Sequence, residues 1–188
     1  MSDQLKGKKI AILATDGFEE VELSKPRKAL NDAGAETYII APNNGSIKAW
    51  DEDHWSDDYE VDVALDNANA KDYDNLLLPG GVINPDALRT NKQAIQFVAG
   101  FLHAGKPIAA ICHAPQLLIE TGELEGRRMT SYPSIKTDLV NAGANWVDEE
   151  VVVDQGLTTS RKPDDIPAFN DKMIEEFREG IHSELAPN

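Results

Sequence analysis

Gly105-Lys106-Pro107-Ile108-Ala109-Ala110-Ile111-Cys112-His113-Ala114-Pro115 is the stretch that decides the reading of this chain. A short apolar run delivers the only cysteine of the sequence into a turn. From Ala114 through Gln116, Leu117, Leu118 and Ile119 the spacing is helical. A buried strand that ends in one polar residue, with a helix starting at once, is the layout of a nucleophile elbow. There the side chain is pushed out of the sheet towards backbone N–H groups at the helix start. Those groups and the helix dipole favour a thiolate, and His113 adds a proton carrier beside the sulfur.

Outward from this stretch, short apolar segments alternate with amphipathic ones, the pattern of a parallel sheet covered by helices. Lys9 to Ala14 reads as a strand, stopped by Thr15-Asp16-Gly17. The spacing turns helical from Phe18, with Gly34 as its stop, and Glu36 to Ala41 is a second strand. Asp74 to Leu78 is a third, stopped by Pro79-Gly80-Gly81. A helix from Asn91 to His103 leads to the cysteine strand. Beyond it lie a helix over Ser134 to Ala142 and short strands at Trp146-Val147, Val151 to Asp154 and Leu157 to Ser160. A last helix opens at Pro163-Asp164-Asp165 and runs to about Gly180. The Trp-, Asp- and His-rich stretch from Ile47 to Asp62 reads as a surface β-hairpin, an interface or a lid without chemistry. In open α/β sheets, sites form beyond the carboxyl ends of the strands. The turns before Glu19-Glu20-Val21-Glu22, at Gly80-Gly81 and at Cys112 therefore converge on one crevice if their strands are neighbours.

A chain of 188 residues suits one domain with a full core, here taken as residues 1–188 with a frayed tail from 181. Its apolar runs are far below membrane-spanning length, and its N-terminus has no apolar signal segment, so no membrane partner is expected. One cysteine allows no internal disulfide, which points to a reducing cytoplasm. A net charge of −15 argues against nucleic-acid binding. His54, His103, His113 and His182 are scattered without metal-ligand spacing, and Gly80-Gly81 lacks the third glycine of a dinucleotide fingerprint. No metal and no cofactor are expected.

Four motifs in order carry a resemblance: Asp16-Gly17-Phe18-Glu19-Glu20-Val21-Glu22-Leu23, Leu77-Leu78-Pro79-Gly80-Gly81, Gly105-Lys106-Pro107 leading to Ala110-Ile111-Cys112-His113, and Thr159-Ser160-Arg161-Lys162-Pro163-Asp164-Asp165-Ile166-Pro167. Over about residues 8–180 the chain resembles the PfpI family of the class I glutamine amidotransferase-like superfamily. That group holds the intracellular protease I proteins and the relatives of the Parkinsonism-associated deglycase. The resemblance implies a flavodoxin-like α/β three-layer sandwich with a mostly parallel central sheet and Cys112 as nucleophile. It makes His113 the histidine after the nucleophile, Glu22 the acid that hydrogen-bonds the sulfur, and Glu19 a second carboxylate of the pocket. The N–H groups of Gly81 and His113 resemble an oxyanion hole beside Gly80, and Tyr132 resembles the aromatic residue lining the pocket. Asp86 resembles a carboxylate that reaches the histidine of a neighbouring subunit in a homodimer or hexamer. Two departures stand out: Ala114 where glycine is usual, and Asp86 in place of the longer glutamate.

The implied chemistry is attack of a thiolate on a small reactive carbonyl or a glycated amine, as in a glutathione-independent glyoxalase or a deglycase in a stress response. A cysteine peptidase using Cys112, His113 and Asp86 is the alternative, and a stress chaperone or cysteine redox sensor the non-enzymatic one. Charge repulsion next to a thiolate should keep Glu22 partly protonated. The helix dipole alone accounts for Glu20, a helix-opening cap is an equal reading of Asp86, and Arg161 is expected in a structural ion pair.

Overall fold

In the computed structural model, which describes residues 3–183, strands and helices alternate from the start of the chain. β1 (Lys9–Leu13) leads through a two-residue strand, β2 (Phe18–Glu19), into α1 (Glu20–Asp32) and then β3 (Glu36–Ala41). A hairpin of β4 (Ser46–Asp51) and β5 (His54–Glu60) follows, then β6 (Val63–Ala64) and β7 (Asn75–Leu78). Two helices, α2 (Ile83–Leu88) and α3 (Lys92–His103), precede the cysteine strand β8 (Ile108–Ile111). Next come α4 (Gln116–Ile119), β9 (Arg128–Met129), α5 (Lys136–Asn141) and β10 (Asn145–Trp146). An antiparallel pair, β11 (Val151–Asp154) and β12 (Leu157–Ser160), precedes the closing helix α6 (Ile166–Glu179).

The main sheet has seven strands in the order β11-β12-β8-β7-β1-β3-β6, parallel throughout except at its β11 edge. This is a flavodoxin-like α/β/α sandwich. Parallel strands covered on both faces must be apolar on both, because successive side chains point to opposite sides. Ile108 and Ala110 of β8 face one core with Phe97, Phe101 and Leu102 of α3. Ala109 and Ile111 face the other core, with Leu23 and Leu30 of α1 and Phe169, Met173 and Phe177 of α6. The strand before Cys112 is therefore clamped from both sides, which fixes where the turn beyond it stands.

The structure differs from the sequence reading in several places. Phe18 and Glu19 pair with Ala49 and Trp50 as a strand, so the helix starts at Glu20. The helix beyond Cys112 is reduced to Gln116–Ile119, since Cys112 to Pro115 form turns. The hairpin is strapped to α1 rather than free on the surface: Glu20 accepts hydrogen bonds from the Ser56 hydroxyl and, at 2.9 Å, from the Tyr59 hydroxyl. Glu20 thus has a tertiary role that the helix dipole alone did not suggest. Arg161 does close an ion pair, with Asp165 at 2.9 Å and Asp148 at 2.8 Å.

At the chain end, His182 is fastened to the body of the fold rather than frayed. His182 N–H donates to the Gly105 carbonyl at 2.8 Å, and its imidazole Nε2 lies 3.4 Å from Glu176 and 3.9 Å from Glu179. The remaining part of that predicted tail, 184–188, lies outside the described residues.

Candidate active site

Cys112 occupies the left-handed region at φ 64°, which an L side chain adopts only when its surroundings hold it there. Its own backbone supplies the fastening. Cys112 N–H donates to the Ser160 carbonyl at 3.0 Å, and the Cys112 carbonyl accepts from Tyr132 N–H at 2.8 Å. The sulfur is turned out of the sheet axis into a crevice beyond β1, β7 and β8, three adjacent strands of the sheet. The cavity there has a volume of about 500 Å³, and Cys112, 6% exposed, stands at its floor.

Three groups meet the sulfur. His113 Nδ1 lies 3.1 Å from Sγ, and its Nε2 is 3.0 Å from the Ser134 hydroxyl. The imidazole is stacked on Tyr132 at 4.6 Å between ring centres. The N–H groups of Gly81 and His113 point at the sulfur and favour its anion. On the far side stands Glu22, completely buried, its carboxyl near enough to interact with Cys112. Its Oε2 accepts from Gly81 N–H at 3.2 Å, while Oε1 has no hydrogen-bond partner. Burial pushes the Glu22 carboxyl up to about 8, so it holds its proton at neutral pH.

Packing sets an opposing pull on the thiolate that the elbow favours. Burial, and after it the charge Glu22 carries once it ionises, push the Cys112 thiol above its ordinary range against the pull of the two N–H groups. A helix of one turn offers too few aligned peptides for a strong dipole to reverse that. Burial likewise lowers the pKa of His113, which leaves a neutral imidazole able to accept a proton. The site thus sets a neutral imidazole and a protonated carboxyl against a sulfur whose burial opposes the anion that the two N–H groups favour.

Glycine is required where the β7 loop passes the sulfur. A side chain on Gly80 would put its Cβ 2.6 Å from Cys112 Cβ, and Gly81 has φ 81°. Gly80→Ala is therefore expected to lower turnover at this site by about ten- to a hundredfold and to cost about 1–3 kcal/mol of stability, measured by kinetics and urea unfolding on one preparation.

Of the residues the sequence singled out, the fold gathers Cys112, His113, Glu19, Glu22, Gly81 and Tyr132 on one cavity, with Gly80 against its floor. Asp86 is not among them. It is exposed on α2, and within the chain Ser134 fills the place at His113 Nε2 that a triad carboxylate would take. The sequence reading also missed Asn84. Its buried side chain donates to the carbonyls of Pro79 and Gly80 at 3.0 Å and accepts from Thr15 N–H at 2.8 Å, tying the β1 and β7 loops together. An asparagine three residues after a double glycine was the available sign, since that side chain commonly satisfies nearby turn backbone. Trp50 and Glu52 of the hairpin reach the cavity as well, where no chemistry had been assigned to them.

A parallel α/β sheet with a strained cysteine at the end of a central strand, flanked by a histidine and a buried acid, defines a class of elbow-cysteine α/β proteins. The comparisons place the chain within it: residues 8–176 match the model of the DJ-1/PfpI family, and the chain belongs to that family. It is 47% identical over 170 residues to General stress protein 18 of Bacillus subtilis, covering 89% of this chain and 96% of that protein. It is 43% identical over 168 residues to Protein/nucleic acid deglycase 2 of Escherichia coli, covering 89% and 96%. Among solved structures, Drosophila melanogaster DJ-1beta superimposes with a TM-score of 0.81 at 31% identity, covering 99% of this chain and 94% of that one. Among the described residues, no helix is long and apolar enough to cross a membrane.

Proposed function

We propose that this protein is a cysteine-dependent enzyme of carbonyl stress in the cytoplasm. It converts small 2-oxoaldehydes to 2-hydroxy acids without glutathione and hydrolyses the early adducts these aldehydes form with amines. The observation that carries the reading is the Cys112 sulfur, 3.1 Å from a neutral imidazole, faced by two N–H groups and touching a protonated, buried carboxyl. The names of the stress-protein and deglycase relatives support it.

The steps follow from the protonation states. Sγ attacks the aldehyde carbon as the thiol proton passes to His113 Nδ1, which offsets the high thiol pKa because no free thiolate need accumulate. The developing oxyanion takes the N–H groups of Gly81 and His113, fixed in place before the reaction. The result is a hemithioacetal. Glu22, once ionised, takes the remaining hydrogen of that carbon as a proton and returns it to the neighbouring carbonyl carbon. A thioester of the hydroxy acid is left, and water cleaves it to release the acid and restore the thiol. With an adduct on an amine, attack at the carbinol carbon displaces the amine and enters the same sequence.

Asp86 belongs to this proposal only through assembly. In a homodimer or hexamer it would approach His113 of a second subunit. The proposal is tested by incubating the protein with methylglyoxal in the absence of any added thiol and measuring lactate. Lactate formed by wild type and not by Cys112→Ser supports it, and no lactate above the uncatalysed rate overturns it.

A further inference from the structure

The charged groups at the mouth of the cavity are all of one sign. Glu19 and Glu52 line it, with the protonated Glu22 behind them, and among the described residues no lysine or arginine does. Lysine and arginine do occur beside the rim residue Pro163, but Arg161 is held by Asp148 and Asp165, and Lys162 lies 3.0 Å from Asp164. His113 is kept neutral by burial. The acidic lining is also built in place. Phe18–Glu19 pairs with Ala49–Trp50, the Trp50 indole N–H donates to the Glu52 carbonyl at 2.9 Å, and Glu52 N–H donates to the Glu19 carboxylate at 3.4 Å. Glu52 itself turns in the left-handed region at φ 53°, which sets its side chain at the hairpin tip. Behind these groups, the unpartnered Oε1 of the fully buried Glu22 marks the inner end of the cavity as a place where a ligand can form a hydrogen bond.

We propose that Glu19 and Glu52 make the entrance to Cys112 select by charge. It admits cationic and neutral carbonyl compounds and turns away those bearing a carboxylate or phosphate. The selection is Coulombic. Like charges in a cleft with low-dielectric walls lower the local concentration of an anion and raise that of a cation, each by several-fold. This inference rests on the proposed role of Cys112 but concerns only access to it.

Access can be measured without any turnover by methanethiosulfonate reagents of the three charge types: trimethylammonium-ethyl, methyl and sulfonato-ethyl. In each reaction Sγ attacks the sulfenyl sulfur, an S–S bond forms, methanesulfinate leaves and the thiol proton passes to buffer. Rates are divided by those with 2-mercaptoethanol to remove intrinsic differences between reagents. For the wild type at low ionic strength, the cationic reagent should outpace the anionic one by about tenfold or more, with the ratio shrinking in ~0.5 M salt. Glu52→Lys and Glu19→Gln should each reduce the ratio by about threefold or more. Asp171→Lys, on the exposed face of α6, alters net charge as much as Glu52→Lys and should leave it unchanged. A wild-type ratio near one, or equal responses to Asp171→Lys and Glu52→Lys, would overturn the proposal. If no reagent modifies the folded protein, the nucleophile role falls and the entrance with it. If all three react equally, the nucleophile role stands and charge selection alone fails.

Discussion

Cys112→Ser is expected to lower kcat/KM for methylglyoxal by at least about a thousandfold while leaving the fold in place. Serine is nearly isosteric and keeps the backbone bonds to Ser160 and Tyr132 that hold the turn. What it loses is a polarisable sulfur whose proton a neutral imidazole can take. An alkoxide is far costlier to form beside Glu22, where negative charge is already opposed. Circular dichroism and unfolding midpoints close to wild type, alongside absent lactate formation, are the anticipated pair of results. Retained turnover would place the chemistry elsewhere.

The second large effect concerns Glu22. In the unfolded chain this carboxyl ionises near 4.5, and in the folded protein near 8. Between those values the folded state binds a proton that the unfolded state has released, so its contribution to stability is full below pH 4.5 and is lost as pH rises through about 8. Glu22→Gln keeps an acceptor for Gly81 N–H but cannot ionise. Wild type should therefore lose about 3–5 kcal/mol relative to the variant between pH 4.5 and pH 9, read from urea unfolding at each pH. The difference between the two proteins isolates this group from every other carboxylate that titrates. The same substitution removes the proton carrier between the two substrate carbons, and turnover should fall by about a hundred- to a thousandfold. Parallel pH curves for the two proteins would contradict a protonated Glu22.

How much of this was legible beforehand varies with the physics behind each feature. The runs Lys9 to Leu13, Asn75 to Leu78 and Ile108 to Ile111 could be read as strands because burial on both faces demands continuous apolar sequence. The convergence of Glu22, Gly81 and Cys112 was legible too, since strand ends and turn residues locate a crevice before any coordinates do. Hidden features depended on tertiary hydrogen bonds that leave no periodic trace. Phe18–Glu19 looks helical by spacing but pairs as a strand, because the hairpin presents it with Ala49 and Trp50. Asn84 and Ser134 are ordinary polar residues until the fold brings Gly80 and His113 to them. The opposing pulls on the thiol divide in the same way. Local sequence reveals the N–H groups that favour an anion, whereas burial and the Glu22 charge that oppose it arise only from packing.

The proposed chemistry depends most on the Cys112 sulfur being reachable and reactive in the folded protein. Its direct test is to treat native protein with iodoacetamide, following intact mass and methylglyoxal turnover in the same samples. We predict one carboxamidomethyl group, on Cys112, with activity lost in proportion to its formation. A sulfur that reacts only after unfolding in urea, or one that is fully alkylated while turnover persists, would contradict the account.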